Sequence, residues 1–381
     1  MATGTAFRLM KVAGCGALLF TFGIQVQSQE KSKAAKQASP PELTSSHKEK
    51  GPITETTLAM KGNTLTAQEA AELEQKLSLN PENIIIITKL LGYWSGPLFY
   101  DDGEIKQKRE KYILWLIKNH PEAEVLGMRD AQLNVGFENY SEAKSLWLEQ
   151  LEKHPDNLKI VGNAANSLVS YDTDLAIKYY KKAKSLDQQN YRWDFLLGFA
   201  YNLKCTSPVH SGNSQDPEAA KESLNYYEKA YFTTEGKKNN LLLESMAKAA
   251  LMADDLSKAE EYANKMLVAK DYYYTYYGNF ILGLIAIKKG NIDVAGNYLL
   301  ESTNFSGKVE FNIILDMTLA QEFLTRGKRE IVLEFLKRIS KFWKYNGTCE
   351  QWVKEMEDGG TPDLSLYALI GRRYMAKPES K

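Results

Sequence analysis

Residues 157–190 read NLKIVGNAANSLVSYDTDLAIKYYKKAKSLDQQN, and this stretch decides the fold. Apolar side chains recur along it at spacings of three and four, without the alternation of a strand, so it reads as two short amphipathic helices. Ala164 in the first stands twelve residues before Ala176 in the second, and Tyr180 and Ala183 follow at four and three. A small residue in the first helix lets the second approach closely. The second then presents one small residue and larger ones on the same face.

The same register recurs along the chain. Ala131 precedes Ala143, Trp147 and Pro155; Ala247 precedes Ala259, Ala263 and Met266. Gly283 precedes Ala295, Leu299 and Ser302; Ala320 precedes Val332, Leu336 and Ile339. Half-units end in Leu73, Lys76 and Pro81, and in Ile113, Leu116 and Pro121. A fixed period of about 33 to 37 residues is the mark of a repeat array. The expectation is a chain helical throughout from Thr66 to about Trp352, with helices that bury one another.

This spacing resembles the tetratricopeptide repeat, most closely in residues 157–190 and 276–309. Val332 stands where that pattern has Ala, and Gln188 where it has Pro. The resemblance implies an all-α fold, an α-solenoid of TPR-like antiparallel helix hairpins. A narrower likeness is to exported bacterial repeat proteins with no known reaction. It is carried by Lys89-Leu90-Leu91-Gly92-Tyr93, Leu114-Trp115-Leu116-Ile117, Gly162-Asn163-Ala164-Ala165 and Lys341-Phe342-Trp343.

The ends differ from the middle. Arg8 and Lys11 precede an apolar run from Val12 to Val26, followed by Gln27-Ser28. That pattern reads as a secretory signal peptide over residues 1–28, too short for a membrane span. Membrane attachment is expected only if this segment stays uncleaved as an anchor. The apolar run follows Cys15, which argues against a lipid on that residue. Residues 29–62 are poor in large apolar side chains and read as a disordered linker. The repeat domain is then 63–356, with a C-terminal tail over 357–381.

Lys+Arg and Asp+Glu each total 48, so the formal net charge is zero. A nucleic-acid partner is not expected without a cationic surplus. Nor does any cofactor motif appear: there is no Gly-rich phosphate loop, Cys-x-x-Cys or His-Glu-x-x-His. Asp101, Asp102 and Glu104 lack the spacing of a calcium loop and read as a polar turn. No metal site is expected. His120 and His154 precede prolines at helix ends, where a cation suits the helix dipole. His210 lies beside Ser207 and Ser211 in an insertion over 204–217, without the context of a nucleophilic Ser. Cys205 and Cys349 belong to distant parts of the array and are expected as two thiols.

Five of the six residues from Tyr272 to Tyr277 are tyrosines. A helix turns about 100° per residue, so they cannot all face one core. The reading is a protein-binding or scaffolding module of the cell envelope, exported, and not an enzyme. It would hold a partner's peptide or helix on the concave face lined by first helices. Candidate contact residues are Asn163, Asn166, Tyr273, Tyr276 and Asn279. A glycan binder using the tyrosines as a platform is the first alternative. An enzyme built on the 95–104 and 204–217 loops is the second.

Overall fold

A computed structural model describes residues 54–95, 102–133, 139–206, 216–234, 240–269, 271–305, 315–343 and 347–367. Among these the chain forms sixteen α-helices and no strand. They fall into two compact bodies, one ending at Asn190 and the other beginning at Tyr191.

The N-terminal body holds α1 (Glu55–Gly62), α2 (Ala67–Leu79), α3 (Ile84–Trp94), α4 (Gly103–Asn119), α5 (Tyr140–Lys153), α6 (Leu158–Leu168) and α7 (Thr173–Leu186). Polar side chains set the starts. Thr66 and Glu69 form a reciprocal capping box at α2, and Asp102 and Asn157 accept first-turn amides of α4 and α6. Each such cap contributes about 1 kcal/mol. His120 and His154 take the C-cap positions of α4 and α5. α6 packs on α7, α2 on α3, and α1 on α3.

The C-terminal body holds α8 (Tyr191–Thr206), α9 (Pro217–Thr233), α10 (Asn240–Met252), α11 (Leu256–Val268), α12 (Tyr272–Lys288), α13 (Ile292–Glu301), α14 (Thr318–Thr325), α15 (Arg329–Ile339) and α16 (Thr348–Glu357). Consecutive helices pack from α8 through α13. Alternate ones also meet: α10 with α12, α12 with α14, and α13 with α15.

The register read from the sequence is the buried register. Ala164, Ala176, Tyr180, Ala183, Ala247, Ala259, Ala263, Met266, Ala295 and Val332 are all fully enclosed. Close approach at the small positions is visible at two glycines. A Cβ on Gly198 would lie 2.7 Å from the Tyr227 ring, and one on Gly283 2.4 Å from Leu319. Cys205 and Cys349 are both buried, with Sγ atoms near the Tyr201 and Leu336 carbonyls at 3.2 and 3.5 Å.

Three expectations need correction. The linker assigned to 29–62 contains α1, which buries Leu58, Ala59 and Gly62; small residues at a close helix crossing replace the large apolar ones whose scarcity suggested disorder. The tail assigned to 357–381 leaves α16 exposed and then returns to the core at Pro362 and Leu364. Leu364 is buried, and the Tyr367 ring packs on Trp343 and Trp352 at 5.8 and 5.1 Å. The chain is also not helical throughout. Glu124–Gly127 and Arg129–Ala131 are single 3-10 turns, and Leu315 to Met317 is irregular. Residues 1–53, including the signal-peptide reading, lie outside the described residues. No helix among the described residues is long and apolar enough to cross a membrane.

Candidate functional site

The asparagines expected on an open face of α6 point into the protein. Asn163 and Asn166 are 8% and 3% exposed. The Asn163 side-chain amide donates to the carbonyls of Pro121 and Ala123, each at 2.9 Å. Asn166 donates to the Gly127 carbonyl at 3.2 Å and accepts the Tyr180 hydroxyl at 2.8 Å. Gln132 reaches back to the Asn166 carbonyl at 3.1 Å. The segment 121–132 therefore lies across α6, held by side-chain donors on main-chain carbonyls; the Ala123 carbonyl also accepts the Leu126 amide at 3.1 Å. A buried carbonyl without a donor costs about 1–3 kcal/mol, which gives these asparagines their role. Gly127 is required at the contact, since a Cβ there would lie 2.7 Å from Asn163 Oδ1.

A similar cover lies over α12. Every residue from Tyr276 to Ile287 is buried, so no side of that stretch faces solvent. The Tyr276 hydroxyl donates to the Asp316 carbonyl at 3.1 Å. Asn279 donates to Thr275 of its own helix at 2.9 Å. Both were expected at solvent-side positions and neither is there. The covering residues, Leu315 to Met317, are buried and lie some 40 residues on in sequence from Tyr276. The Met317 amide donates to the Tyr367 carbonyl at 2.7 Å.

Tyr273 is half-buried. Its hydroxyl donates to Glu244, and its ring packs on Tyr277 at 4.7 Å. Glu244 also meets Lys248 at 2.6 Å, and Lys248 stands 3.7 Å from Asp316 and 4.6 Å above the Tyr277 ring. Asp316 accepts the Thr318 amide and hydroxyl at 3.1 and 2.6 Å. Burial works against the Lys248 ammonium, but Glu244 and Asp316 outweigh it and hold its pKa above the ordinary value. Burial, reinforced by the same carboxylates, pushes Tyr273, Tyr276 and Tyr277 well up. These phenols stay neutral, and those of Tyr273 and Tyr276 donate; they are not poised to act as bases.

The same three-part contact recurs, and sequence reading missed it. In the C-terminal body Glu228 takes the Tyr262 hydroxyl at 2.5 Å and Lys258 at 2.8 Å. In the N-terminal body Asp172 takes the Tyr140 hydroxyl and Lys144 at 2.7 Å. Glu74 takes the Trp94 indole at 3.2 Å and Lys108 at 2.9 Å. Each carboxylate joins an aromatic donor and a lysine on separate elements or successive turns. The legible signal was the spacing of four in Tyr140/Lys144, Glu244/Lys248 and Lys258/Tyr262, which puts each pair on one helix face. The chemistry is that of a tie between helices.

What stays open is the start of α12 and its surroundings. Tyr272 is 38% exposed and Val268, at the end of α11, is 80% exposed. Tyr272 meets Phe305 edge-on at 6.5 Å, and Phe305 meets Phe342 at 4.6 Å. Tyr274 is half-buried beside them in sequence. Asp102 accepts the Glu104 and Ile105 amides at 3.0 and 3.1 Å, as a helix cap does. Ser207, His210 and Ser211, like Asp101, lie outside the described residues. Among those described, no three His, Cys, Asp or Glu side chains converge as metal ligands do. No family model matches the chain and no curated protein matches it.

Proposed function

We propose that the protein is an exported, TPR-like array of helix hairpins that binds polypeptide and acts as a scaffold in the cell envelope. The observation that carries this reading is the capture of residues 121–127 on α6. There a first helix holds a turn-forming segment through Asn163 and Asn166, by donors to main-chain carbonyls. Such contacts read backbone and tolerate many sequences, as peptide recognition through main-chain hydrogen bonds requires. Export rests on the apolar run from Val12 to Val26. The partner surface named from sequence is revised: Asn163, Asn166, Tyr276 and Asn279 hold the protein's own chain, and Tyr272, Tyr274 and Val268 are the accessible group. The glycan alternative loses Tyr276 from its platform because that ring is buried.

The test is capture from the native envelope with the immobilised full chain, followed by mass spectrometry. A protein retained by the wild type and lost with Y272A/V268D supports the reading. Retention of no protein, or equal retention by both chains, contradicts it.

A further inference from the structure

We propose that residues Ala368 to Met375 are an internal ligand of the face that α12 presents between α10 and α14. In this assignment Leu369 and Ile370 lie on Phe280 and Leu284, and Arg372 and Arg373 meet Glu244 and Asp316. The inference goes beyond the accessible group at Tyr272 and rests on the reading that this array binds polypeptide. It names the class of segment the face takes: an apolar pair followed by a basic pair.

The face is defined by what surrounds α12. A Cβ on Gly278 would meet the Leu267 side chain of α11 at 2.7 Å, and one on Gly283 would meet Leu319 of α14 at 2.4 Å. Lys248 of α10 stands over the Tyr277 ring. At about 100° per residue, Tyr273, Phe280 and Leu284 therefore point between α14 and α10 and away from α11. Phe280 and Leu284 are 2% and 0% exposed. Side chains that point outward between two flanking helices and are still this enclosed need chain lying over them. Leu315 to Met317 provide it beside Tyr276.

The course of the chain leads the next residues to this face. The Leu364 amide donates to Gln321, in the first turn of α14, at 3.1 Å. Three residues later the Tyr367 carbonyl accepts the amide of Met317, the N-cap of α14, at 2.7 Å. The chain thus runs toward the start of α14 and reaches Asp316, whose carbonyl holds the Tyr276 hydroxyl. Ala368 is joined to Tyr367 at that contact. The sequence that continues is Ala-Leu-Ile-Gly-Arg-Arg-Tyr-Met, residues 368–375.

Charge selects the same segment. Glu244 and Asp316 bring two carboxylates to the single ammonium of Lys248, so the α10 side of the face carries negative charge in excess. Glu244 and Lys248 keep 14% and 18% of their side-chain surface open. Arg372 lies five residues beyond Tyr367, an extended span of up to about 17 Å. The steps from Asp316 to Lys248 and on to Glu244 are 3.7 and 2.6 Å, well inside that reach. Arginine is the side chain whose fork matches a carboxylate. A tethered tail holds its site at an effective concentration in the millimolar range, so a partner must outcompete it to enter.

The experiment has two arms on the full chain. In the first, Ile370 is replaced by the photo-reactive p-benzoylphenylalanine and the chain is irradiated. The expected product is a cross-link within one chain to a peptide from α10 or α12, residues 240–252 or 272–288. No cross-link, a cross-link to other parts of the chain, or one that joins two chains would overturn the proposal. In the second arm a fluorescein-labelled peptide of residues 367–381 is titrated into wild type and into L369D/I370D/R372E/R373E. The variant, whose own tail cannot seat, should bind it saturably and at least about tenfold more tightly than wild type. Equal binding by both chains, or none by a variant that keeps wild-type helical circular dichroism, would overturn it. A variant that loses helix leaves the decision to the first arm. Neither arm uses a native envelope partner, so the polypeptide-binding reading fails or stands separately.

Discussion

Asn163 shows how one side chain decides the meaning of a helix face. Its amide meets two carbonyls, so Asn163→Ala removes the side-chain donor from Pro121 and one of the two donors from Ala123. The expected loss is about 2 kcal/mol in urea unfolding. Asn163→Asp replaces the donor with a buried acceptor facing two acceptors and should cost more. Glycines give a second residue-scale contrast. Gly92→Ala places a methyl against the Ala59 carbonyl and should destabilise by more than about 2 kcal/mol. At Gly103 a Cβ meets nothing within 4 Å, so Gly103→Ala should be neutral or stabilise by up to about 1 kcal/mol in the same assay. Lys248→Met leaves Glu244 and Asp316 buried together without their cation. Its expected cost is about 3 kcal/mol, measured against Lys288→Met at the more exposed pair with Asp254.

At the scale of elements, α10 and α12 carry a pH dependence whose sign follows from burial. Tyr273, Tyr276 and Tyr277 are held as neutral phenols, with Tyr140, Tyr227, Tyr262 and Tyr274 raised likewise, all chiefly by burial. An unfolded tyrosine loses its proton near pH 10. Above that pH the unfolded chain binds fewer protons than the native one, so stability falls as pH rises. Lys248 acts in the same direction, since its folded pKa is raised: its contribution is present below about 10.5 and is lost as pH climbs through the folded value. Thermal melts should therefore be insensitive to these groups at neutral pH and drop steeply above about pH 10. Tyrosinate absorbance should rise together with the loss of helical signal for the buried set. Ionisation of all 22 tyrosines before any loss of helix would contradict the burial of this cluster.

For the whole molecule, legibility followed the range of the interactions. The pairing of Ala164 with Ala176, or Ala247 with Ala259, was readable because helix packing within a hairpin is local and repeats at a fixed spacing. The covering of α6 and α12 was not. Tyr276 and Asn279 sit at spacings that suit an inner face, but their cover arrives with Asp316, far along the chain. The segment 121–133 carries Val125, Leu126, Ala131 and Leu133, all buried, and its apolar spacing passes for a helix. Pro121 and Gly127 instead leave it as turns that Asn163 and Asn166 can grip. α1 was missed because a glycine crossing needs almost no hydrophobic signal. Asn163, Asn166 and Tyr276, read from the sequence as partner contacts, bind main-chain carbonyls of the chain itself.

The claim on which the functional reading turns is that residues 121–127 lie on α6. Replacing Asn163 by Cys removes the Oδ1 that a Cβ at Gly127 would meet, and that Cβ would stand 3.7 Å from Asn163 Cγ, the place the new sulfur takes, so cysteines at both positions can reach each other. The full chain carrying G127C/N163C should close this bond under mild oxidation, lose the mass of two thiol hydrogens, and yield a single cross-linked peptide joining 127 to 163. A folded, helical chain in which those two thiols stay reduced would contradict the account.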